Sequence, residues 1–348
     1  MEKVAILAIT KNGIKIASSI KQIFPKWDAY APSKFIDGSD VLWYDDSTGS
    51  KIGELFSRYD ALVCLFSLGA VIRLLAPLLK DKKTDPAVLV IDDKASFVIS
   101  ALSGHIGGAN ELAEQLAKAL GATPVITTAA DVNKTISVDL LGKEFGWTID
   151  DDRNVTKVSA FMVNEEKIGI YQDCGEKNWW NGPLPKNVTI YDDVSTMQNA
   201  DCRGFLVISD RTNLRLENAV VYRPKTLVAG IGLHVDTTKQ KILECLFACC
   251  EKYQLSPKSI ARLASLQKPQ EVRGLREAAD ELGVKIEYFD RDELAKISIP
   301  NPSKTVQAYE GTPSVSEASA IMSSAGSLVV EKQKFPPDLT VAIARIEK

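Results

Sequence analysis

The segment Val4-Ala5-Ile6-Leu7-Ala8-Ile9 is a short, uninterrupted apolar run, typical of a strand buried on both faces of a sheet. Helical spacing follows it, with Ile16, Ile20 and Phe24 four residues apart. A strand followed by one helix is the repeating unit of a parallel sheet, because parallel strands need a crossover connection. We therefore predict an α/β fold that begins at the first residues of the chain.

The same alternation continues outward from this segment. Further strands are predicted at 62–66, 88–91 and 124–128, with helices at 69–79 and 111–120 between them. Residues 97–99 return as the hairpin partner of 88–91, because a tight turn at 92–94 separates the two runs. The pattern predicts a three-layer α/β/α domain with a parallel sheet over residues 1–148.

The rest of the chain divides into two further parts. At 348 residues the chain is longer than one hydrophobic core usually supports. Residues 149–224 are less regular and predict a small α+β middle segment, whereas 225–348 resume the alternation and predict a second α/β domain.

Composition and charge exclude several classes of protein. A hydrophobic content of 45%, a charged content of 25% and a net charge of −3 are typical of a globular protein without a nucleic-acid surface. Neither a signal peptide nor an apolar run of membrane length is evident, so we expect a cytoplasmic protein with no membrane contact. The six cysteines form no CxxC pair, which argues against a zinc site or a disulfide framework, and Cys245, Cys249 and Cys250 are interpreted as core residues.

The most informative loop is Leu102-Ser103-Gly104-His105-Ile106-Gly107-Gly108-Ala109-Asn110. It contains one of only two histidines and lies between a predicted strand and helix, where open α/β sheets bind ligands. Gly104, Gly107 and Gly108 allow backbone N–H groups to approach a ligand, and Ser103 and Asn110 add polar groups, although Asn110 could equally be a helix N-cap. The loop matches neither a P-loop nor a dinucleotide fingerprint, and an ordinary structural turn remains the alternative.

Two other features resemble ligand sites but have simpler interpretations. Gly230-Ile231-Gly232-Leu233-His234 is interpreted as a strand running into a glycine turn, in which His234 could contact substrate or cap a helix. Arg73, in the helix after Gly69, is equally consistent with an exposed charge and with an anion clamp.

A third feature is the predicted helix start at Ser314. Ser314 and Glu317 have the spacing of a capping box, which is the structural interpretation. The alternative is that these residues, with the hydroxyl group of Ser316 and the backbone N–H groups, bind substrate carboxylates.

At these same residues the chain resembles the cobalamin biosynthesis protein CbiG family, the cobalt-precorrin-5A hydrolases. The resemblance covers most of the chain in order, through the stretches 69–77, 83–88, 97–110, 121–129, 230–232, 313–318 and 341–345. One departure follows Gly232, where the family usually has a cysteine and two arginines but this chain has Leu233-His234-Val235-Asp236.

The resemblance implies a reaction and roles for several residues. The substrate is a cobalt-containing tetrapyrrole whose δ-lactone is opened by water, and the extruded two-carbon unit leaves as acetaldehyde. The macrocycle and its cobalt accept the electrons, so no protein cofactor and no protein-bound metal are expected. His105 is the expected base, or alternatively an axial cobalt ligand; Ser103 would position water, and the N–H groups of Gly107 and Gly108 would bind the oxyanion.

The wider set of residues expected to bind substrate comes from the same matching stretches. These residues are Gly104, Gly107, Gly108, Asn110, Arg73, Thr127, Thr128, Gly232, His234, Ser314, Ser316 and Glu317. A cleft between the two α/β domains would suit a large polycarboxylate substrate, and we expect a homodimer with transient contacts to other enzymes of the pathway. The competing interpretations are a non-catalytic corrinoid-binding protein and, less consistent with the motifs, a flavodoxin-like nucleotide-binding regulator.

Overall fold

A computed structural model describes residues 3–81, 84–214 and 216–347, so Lys83 of one matching stretch lies outside the described residues. The chain forms two compact units, Met1–Leu140 and Leu141–Lys348. The predicted domain boundaries at 148 and 224 stay predictions. The elements of the first unit are β1 Val4–Ala8, α1 Lys11–Ile23, β2 Asp28–Pro32, β3 Leu42–Tyr44, α2 Thr48–Arg58, β4 Ala61–Leu65, α3 Leu68–Leu75, β5 Ala87–Ile91, β6 Phe97–Leu102, α4 Ala109–Leu120, β7 Thr123–Val125 and α5 Ala129–Val132.

The first unit contains a seven-stranded sheet in the order β3-β2-β1-β4-β5-β6-β7. Strands β1 to β5 are parallel, β6 is antiparallel to β5, and β7 is parallel to β6. The α/β class and the hairpin are confirmed, but the sheet is mixed rather than wholly parallel. The reason is local: the turn after β5 is too short for a crossover, and Asp92 closes it by accepting a hydrogen bond from the Phe97 N–H at 2.7 Å.

Helices cover both faces of this sheet, as a three-layer arrangement requires. Successive residues of β1 point to opposite faces, so Ile6 packs with α1 and α4 whereas Leu7 packs with α2 and α3. In α4 the predicted stripe is confirmed, since Leu112 and Leu116 are buried. The helix ends at Gly121, which adopts a φ of +68° that favours glycine.

The second unit contains two five-stranded sheets. Its elements are β8 Thr148–Ile149, α6 Val155–Val163, β9 Ile168–Gln172, β10 Val188–Tyr191, α7 Val194–Asn199, β11 Gly204–Ile208, β12 Ala219–Arg223, β13 Leu227–Leu233, α8 Lys239–Lys252, β14 Ile260–Leu266, α9 Arg273–Leu282, β15 Lys285–Phe289, α10 Arg291–Leu294, α11 Lys304–Glu310, α12 Val315–Ser324, β16 Leu328–Phe335 and β17 Leu339–Arg345. The middle sheet has the order β10-β9-β11-β12-β8 with only β8 antiparallel, so it is more parallel than an α+β segment implies.

The C-terminal sheet has the order β15-β14-β13-β17-β16, in which β13, β14 and β15 are parallel. Gly230 and Gly232 lie inside β13, which corrects the prediction of a glycine turn there. A Cβ atom at Gly230 would overlap the Ser316 carbonyl group and the Ala320 backbone nitrogen, so glycine allows α12 to pack directly on the strand. The three cysteines of α8 are buried in the core of this sheet, as predicted.

Arg345 joins the two sheets of the second unit. Its guanidinium group donates two hydrogen bonds to the fully buried Asp210 carboxylate, with Nε–Oδ2 and Nη2–Oδ1 distances of 2.9 and 2.7 Å. Asp210 follows β11 and Arg345 ends β17, so one ion pair links the two sheets. Among the helices of the described ranges, none combines the length and the apolar character needed to cross a membrane.

Candidate active site

The loop between β6 and α4 has a specific backbone conformation. Ser103 and Gly108 both have left-handed backbone angles, with φ of +55° and +78°. Gly107 approaches Ser103 so closely that a Cβ atom would overlap its side chain and carbonyl oxygen, and a Cβ atom at Gly104 would lie 2.6 Å from Asn110 Oδ1. Packing and backbone conformation therefore account for all three glycines without a ligand.

Several N–H groups of this loop are used within the loop itself. The N–H groups of Gly108, Ala109 and Asn110 donate to the carbonyl oxygens of residues 105, 103 and 104, respectively. The Gly108 N–H is therefore not available as an oxyanion donor, which corrects that part of the sequence interpretation. The Gly107 N–H has no hydrogen-bond partner among the described residues and remains the candidate.

Asn110 lies at the centre of a polar cluster, and it is not the N-cap, because Gly108 occupies that position. Its side chain is buried and accepts a hydrogen bond from Ser100 Oγ at 2.6 Å. Its amide nitrogen donates to Thr128 Oγ1 at 2.9 Å and to Asp131 Oδ2 at 2.6 Å. Every polar atom of the Asn110 side chain is thus engaged, which fixes its orientation.

His105 lies between two carboxylates. Its Nε2 atom is 3.0 Å from Asp131 Oδ2, and its Nδ1 atom is 3.4 Å from Asp139 Oδ1. The hydrogen bond to Asp139 and the charges of both aspartates raise the pKa of His105 above its ordinary value of 6.5, although burial opposes this. The arrangement favours the imidazolium form, which donates protons and does not accept them.

Sequence analysis missed the two aspartates. Strand β7 is parallel to β6 and adjacent to it, so residues after β7 lie at the same edge of the sheet as the His105 loop. The acidic residues that follow 124–128 were therefore a usable signal. Because β6 is reversed, this edge carries the amino ends of β1 to β5, and the predicted position at their carboxyl ends is corrected.

The other predicted residues of the first unit are arranged differently. Ser103 donates its hydroxyl proton to the Asp85 carbonyl oxygen at 2.9 Å. Thr128 joins the cluster through Asn110, whereas Thr127 is exposed. Arg73 is exposed and bonds back to the Gly69 carbonyl oxygen of its own helix at 3.3 Å, which matches a surface charge more closely than a clamp.

The C-terminal sheet contains a second candidate site. A pocket of about 560 Å³ is lined by Gly232, His234 and Ser314, which sequence analysis had selected, and by Lys268, Lys332 and Lys334, which it had not. Ser316 and Glu317 are fully buried behind it. No capping box exists here, because the Ser314 hydroxyl makes no cap hydrogen bond and Glu317 instead accepts from Asn301 Nδ2 at 2.8 Å.

One further group has atoms of the metal-ligand type. Asp173, Cys174 and Asp210 place such atoms within 4.8 Å of one another. Arg345 and Thr226 already bond to Asp210, and Ser209 Oγ donates to Asp173 at 3.0 Å. Burial raises the pKa of the Cys174 thiol, so these contacts describe a structural junction. The expectation that the protein binds no metal of its own stays a prediction.

The mixed α/β fold and the histidine–carboxylate cluster define a protein equipped for proton transfer on a small molecule. Three family models match the chain: Cobalamin synthesis G N-terminal over residues 50–131, Cobalamin biosynthesis central region over 136–224, and Cobalamin synthesis G C-terminus over 227–344.

Relatives match along nearly the whole chain. A protein named "Cobalt-precorrin-5A hydrolase" from Priestia megaterium is 43% identical over 98% of this chain and 94% of its own length. A protein of the same name from Salmonella typhimurium is 29% identical over 95% of this chain and 94% of its own length. The chain belongs to the cobalamin synthesis G family.

A solved structure, that of a cobalamin biosynthesis protein G homolog from Sulfolobus solfataricus, is 24% identical. The match covers 99% of this chain and 98% of that chain, with a TM-score of 0.39.

Proposed function

We propose that this chain is a cobalt-precorrin-5A hydrolase, which opens the δ-lactone of a cobalt-tetrapyrrole and releases acetaldehyde to give cobalt-precorrin-5B. The observation that carries the proposal is the 43% identity, over 98% of the chain, to a protein of that name. The His105 cluster supports it, because lactone hydrolysis and the following carbon–carbon cleavage both depend on proton transfer.

The geometry favours Asp131 over His105 as the base in this proposal. Asp131 is partly exposed, its Oδ2 atom is held by Asn110 and His105, and a carboxylate is acceptor-only when ionised. The water molecule gives a proton to Asp131 as its oxygen bonds to the lactone carbonyl carbon, and the Gly107 N–H faces the oxyanion.

The protonated His105 then acts as the acid. When the carbon–oxygen bond of the lactone breaks, the imidazolium group gives a proton to the departing alkoxide. The proton on Asp131 returns to His105 across the 3.0 Å contact, which restores both groups. In the second step Asp131 takes the proton of the new alcohol, the carbon–carbon bond breaks, and the electron pair passes to the macrocycle as acetaldehyde leaves.

The axial-ligand role for His105 is less well supported. Ligation needs a neutral ring nitrogen, but both ring nitrogens face carboxylates that favour the protonated form. Ser103 keeps the role of holding water, since its hydroxyl oxygen can still accept a hydrogen bond while it donates to Asp85.

The experiment is an anaerobic turnover assay with the purified protein and cobalt-precorrin-5A. Acetaldehyde is measured with alcohol dehydrogenase and NADH, and lactone opening is followed separately by mass spectrometry. We expect acetaldehyde from the native protein and a loss of at least about 100-fold in kcat for Asp131→Asn. Tight binding of the substrate without release of acetaldehyde would favour the non-catalytic corrinoid-binding protein.

Finer properties belong to the same proposal. We infer a cytoplasmic enzyme that works without its own cofactor, forms a homodimer and contacts neighbouring enzymes of the pathway transiently. Its partners do not include nucleic acid or membranes, as the mild net charge of −3 also suggests. Size-exclusion chromatography with light scattering tests the dimer.

A further inference from the structure

The pocket of the C-terminal sheet lies at a helix N-terminus. It opens where β13 ends, beside the first residues of the ten-residue helix α12. The backbone N–H groups of Val315 and Ser316 have no hydrogen-bond partner in the described ranges, and no side chain caps the helix. Unpaired N–H groups and the helix dipole make such an end favourable for an anion.

A second observation points to a ligand at the same place. The Ser314 hydroxyl lines the pocket, its residue is only 1% exposed, and it has no hydrogen-bond partner among the described residues. A buried hydroxyl without a partner is unfavourable, and native structures usually satisfy such a group. A ligand atom that accepts a hydrogen bond in this pocket would satisfy it.

The charges of the pocket favour a carboxylate as that ligand. Lys268 is already paired with Glu310 at 2.8 Å, but Lys334 has no ion-pair partner in the part of the chain that the structure describes. Lys332 is nearly buried, with its Nζ atom 4.0 Å from Glu317 Oε2, and burial together with the charge of Lys334 lowers its pKa. An added anion would relieve the repulsion between these two ammonium groups.

The opposite wall of the pocket is suited to an extended ring system. Val306, Tyr309 and the prolines 336 and 337 line it, and the Tyr309 side chain is exposed. Apolar and aromatic side chains of this kind contact the faces of flat organic ligands. The pocket thus combines an apolar wall with a single anion-binding end.

We infer that this pocket anchors one peripheral carboxylate of the tetrapyrrole substrate, held by the Ser314 hydroxyl, the first N–H groups of α12 and Lys334, while the macrocycle lies against the Tyr309 wall. The inference rests on the proposed function for the identity of the ligand. It makes Ser314 a substrate-binding residue that takes no part in proton transfer. It also explains how the chain binds an anion without the two arginines that its family usually carries after Gly232.

The test compares two probes by isothermal titration calorimetry with the full chain. Cobyrinic acid is a cobalt corrin with free carboxylate side chains, and cobinamide is the corresponding amide. The variant Ser314→Ala removes the unpaired hydroxyl, and Ser324→Ala is the matched control at the other end of α12, where the hydroxyl already bonds to the Ile321 carbonyl oxygen.

We expect Ser314→Ala to weaken cobyrinic acid binding by about 10- to 100-fold, the value of a hydrogen bond to a charged group, without changing cobinamide binding. Its Tm should be no lower than that of the native protein, since no hydrogen bond of the free protein is lost. Native affinity of Ser314→Ala for cobyrinic acid, equal losses for both probes, or no binding of cobyrinic acid to the native chain would each overturn the inference.

Turnover separates this inference from the proposed function. If the native chain releases acetaldehyde and Ser314→Ala leaves KM unchanged, the function stands and the anchoring role fails. If the native chain releases none but binds cobyrinic acid through Ser314, the anchoring role stands and the hydrolase proposal fails.

Discussion

Asn110 donates its amide N–H to Asp131 Oδ2 at 2.6 Å, and the same oxygen lies 3.0 Å from Nε2 of His105. One oxygen atom therefore joins the start of α4 to the histidine. The position of the proposed base depends on an amide that sequence analysis had considered as a helix cap.

Replacing Asn110 with alanine should disrupt this arrangement. The hydrogen bonds to Ser100, Thr128 and Asp131 are lost together, so we expect a fall in kcat of at least about tenfold and a stability loss of about 1–3 kcal/mol. Turnover assays and urea denaturation measure the two effects. Gln115→Ala, on the exposed face of the same helix, is the control and should change neither.

The charge of His105 should respond to Asp139. Because the hydrogen bond to Asp139 is the largest cause of its raised pKa, Asp139→Asn should lower the pKa of His105. The chain has only two histidines, so NMR titration of the imidazole signals is simple, and His234→Gln identifies the His105 signal. A His105 pKa below 6.5 in the native protein would contradict the structure.

The same pKa shift predicts how stability depends on pH. A histidine whose folded-state pKa is raised stabilises the fold fully below its unfolded value of 6.5, and the effect disappears as pH rises through the folded-state pKa. Urea midpoints should therefore decrease as pH rises from about 6.5 through that pKa. In His105→Gln this part of the pH dependence should be absent, and a profile identical to that of the native protein would contradict the assignment.

The Arg345–Asp210 pair should contribute strongly to the stability of the second unit. Asp210→Asn leaves a guanidinium group without its buried carboxylate, which we expect to cost about 3 kcal/mol. Urea unfolding measures the loss. Asp201→Asn, at an exposed pair with Lys167, should have almost no effect, and equal losses in both variants would show that burial is not the cause.

Gly230 should tolerate no side chain. Gly230→Ala places a methyl group against the backbone of α12, so we expect a loss of more than about 3 kcal/mol or failure to fold. The comparison is Gly283→Ala, where φ is +63° but no atom lies within 4 Å, with an expected cost of about 1 kcal/mol. Circular dichroism during chemical denaturation ranks the two variants.

The layers of the fold could be predicted because local patterns determine them. Continuous apolar runs such as 4–9 and the spacing of Leu112 and Leu116 reflect burial of the element on which they lie. The sequence also revealed the hairpin after β5. Its consequence was missed, because the direction of one strand decides the edge on which every later loop lies.

The candidate site was predicted only in part, for a physical reason. His105, Asn110 and Thr128 meet in the structure, but Asp131 and Asp139 follow a separate strand, and their proximity comes from sheet pairing. The spacing of Ser314 and Glu317 was misleading because Glu317 is drawn to Asn301 and to the Lys332 backbone. Tertiary contacts there are stronger than the local capping preference.

The reversal of β6 and β7 gives the first unit two edges with different freedom to change. The proposed chemistry occupies the edge at the amino ends of β1 to β5, and no residue of the His105 cluster comes from the loops after β1 or β4. Insertions and grafted sequences in those loops would therefore leave the cluster intact. An engineer who followed the usual rule for parallel sheets would protect the wrong edge of this protein.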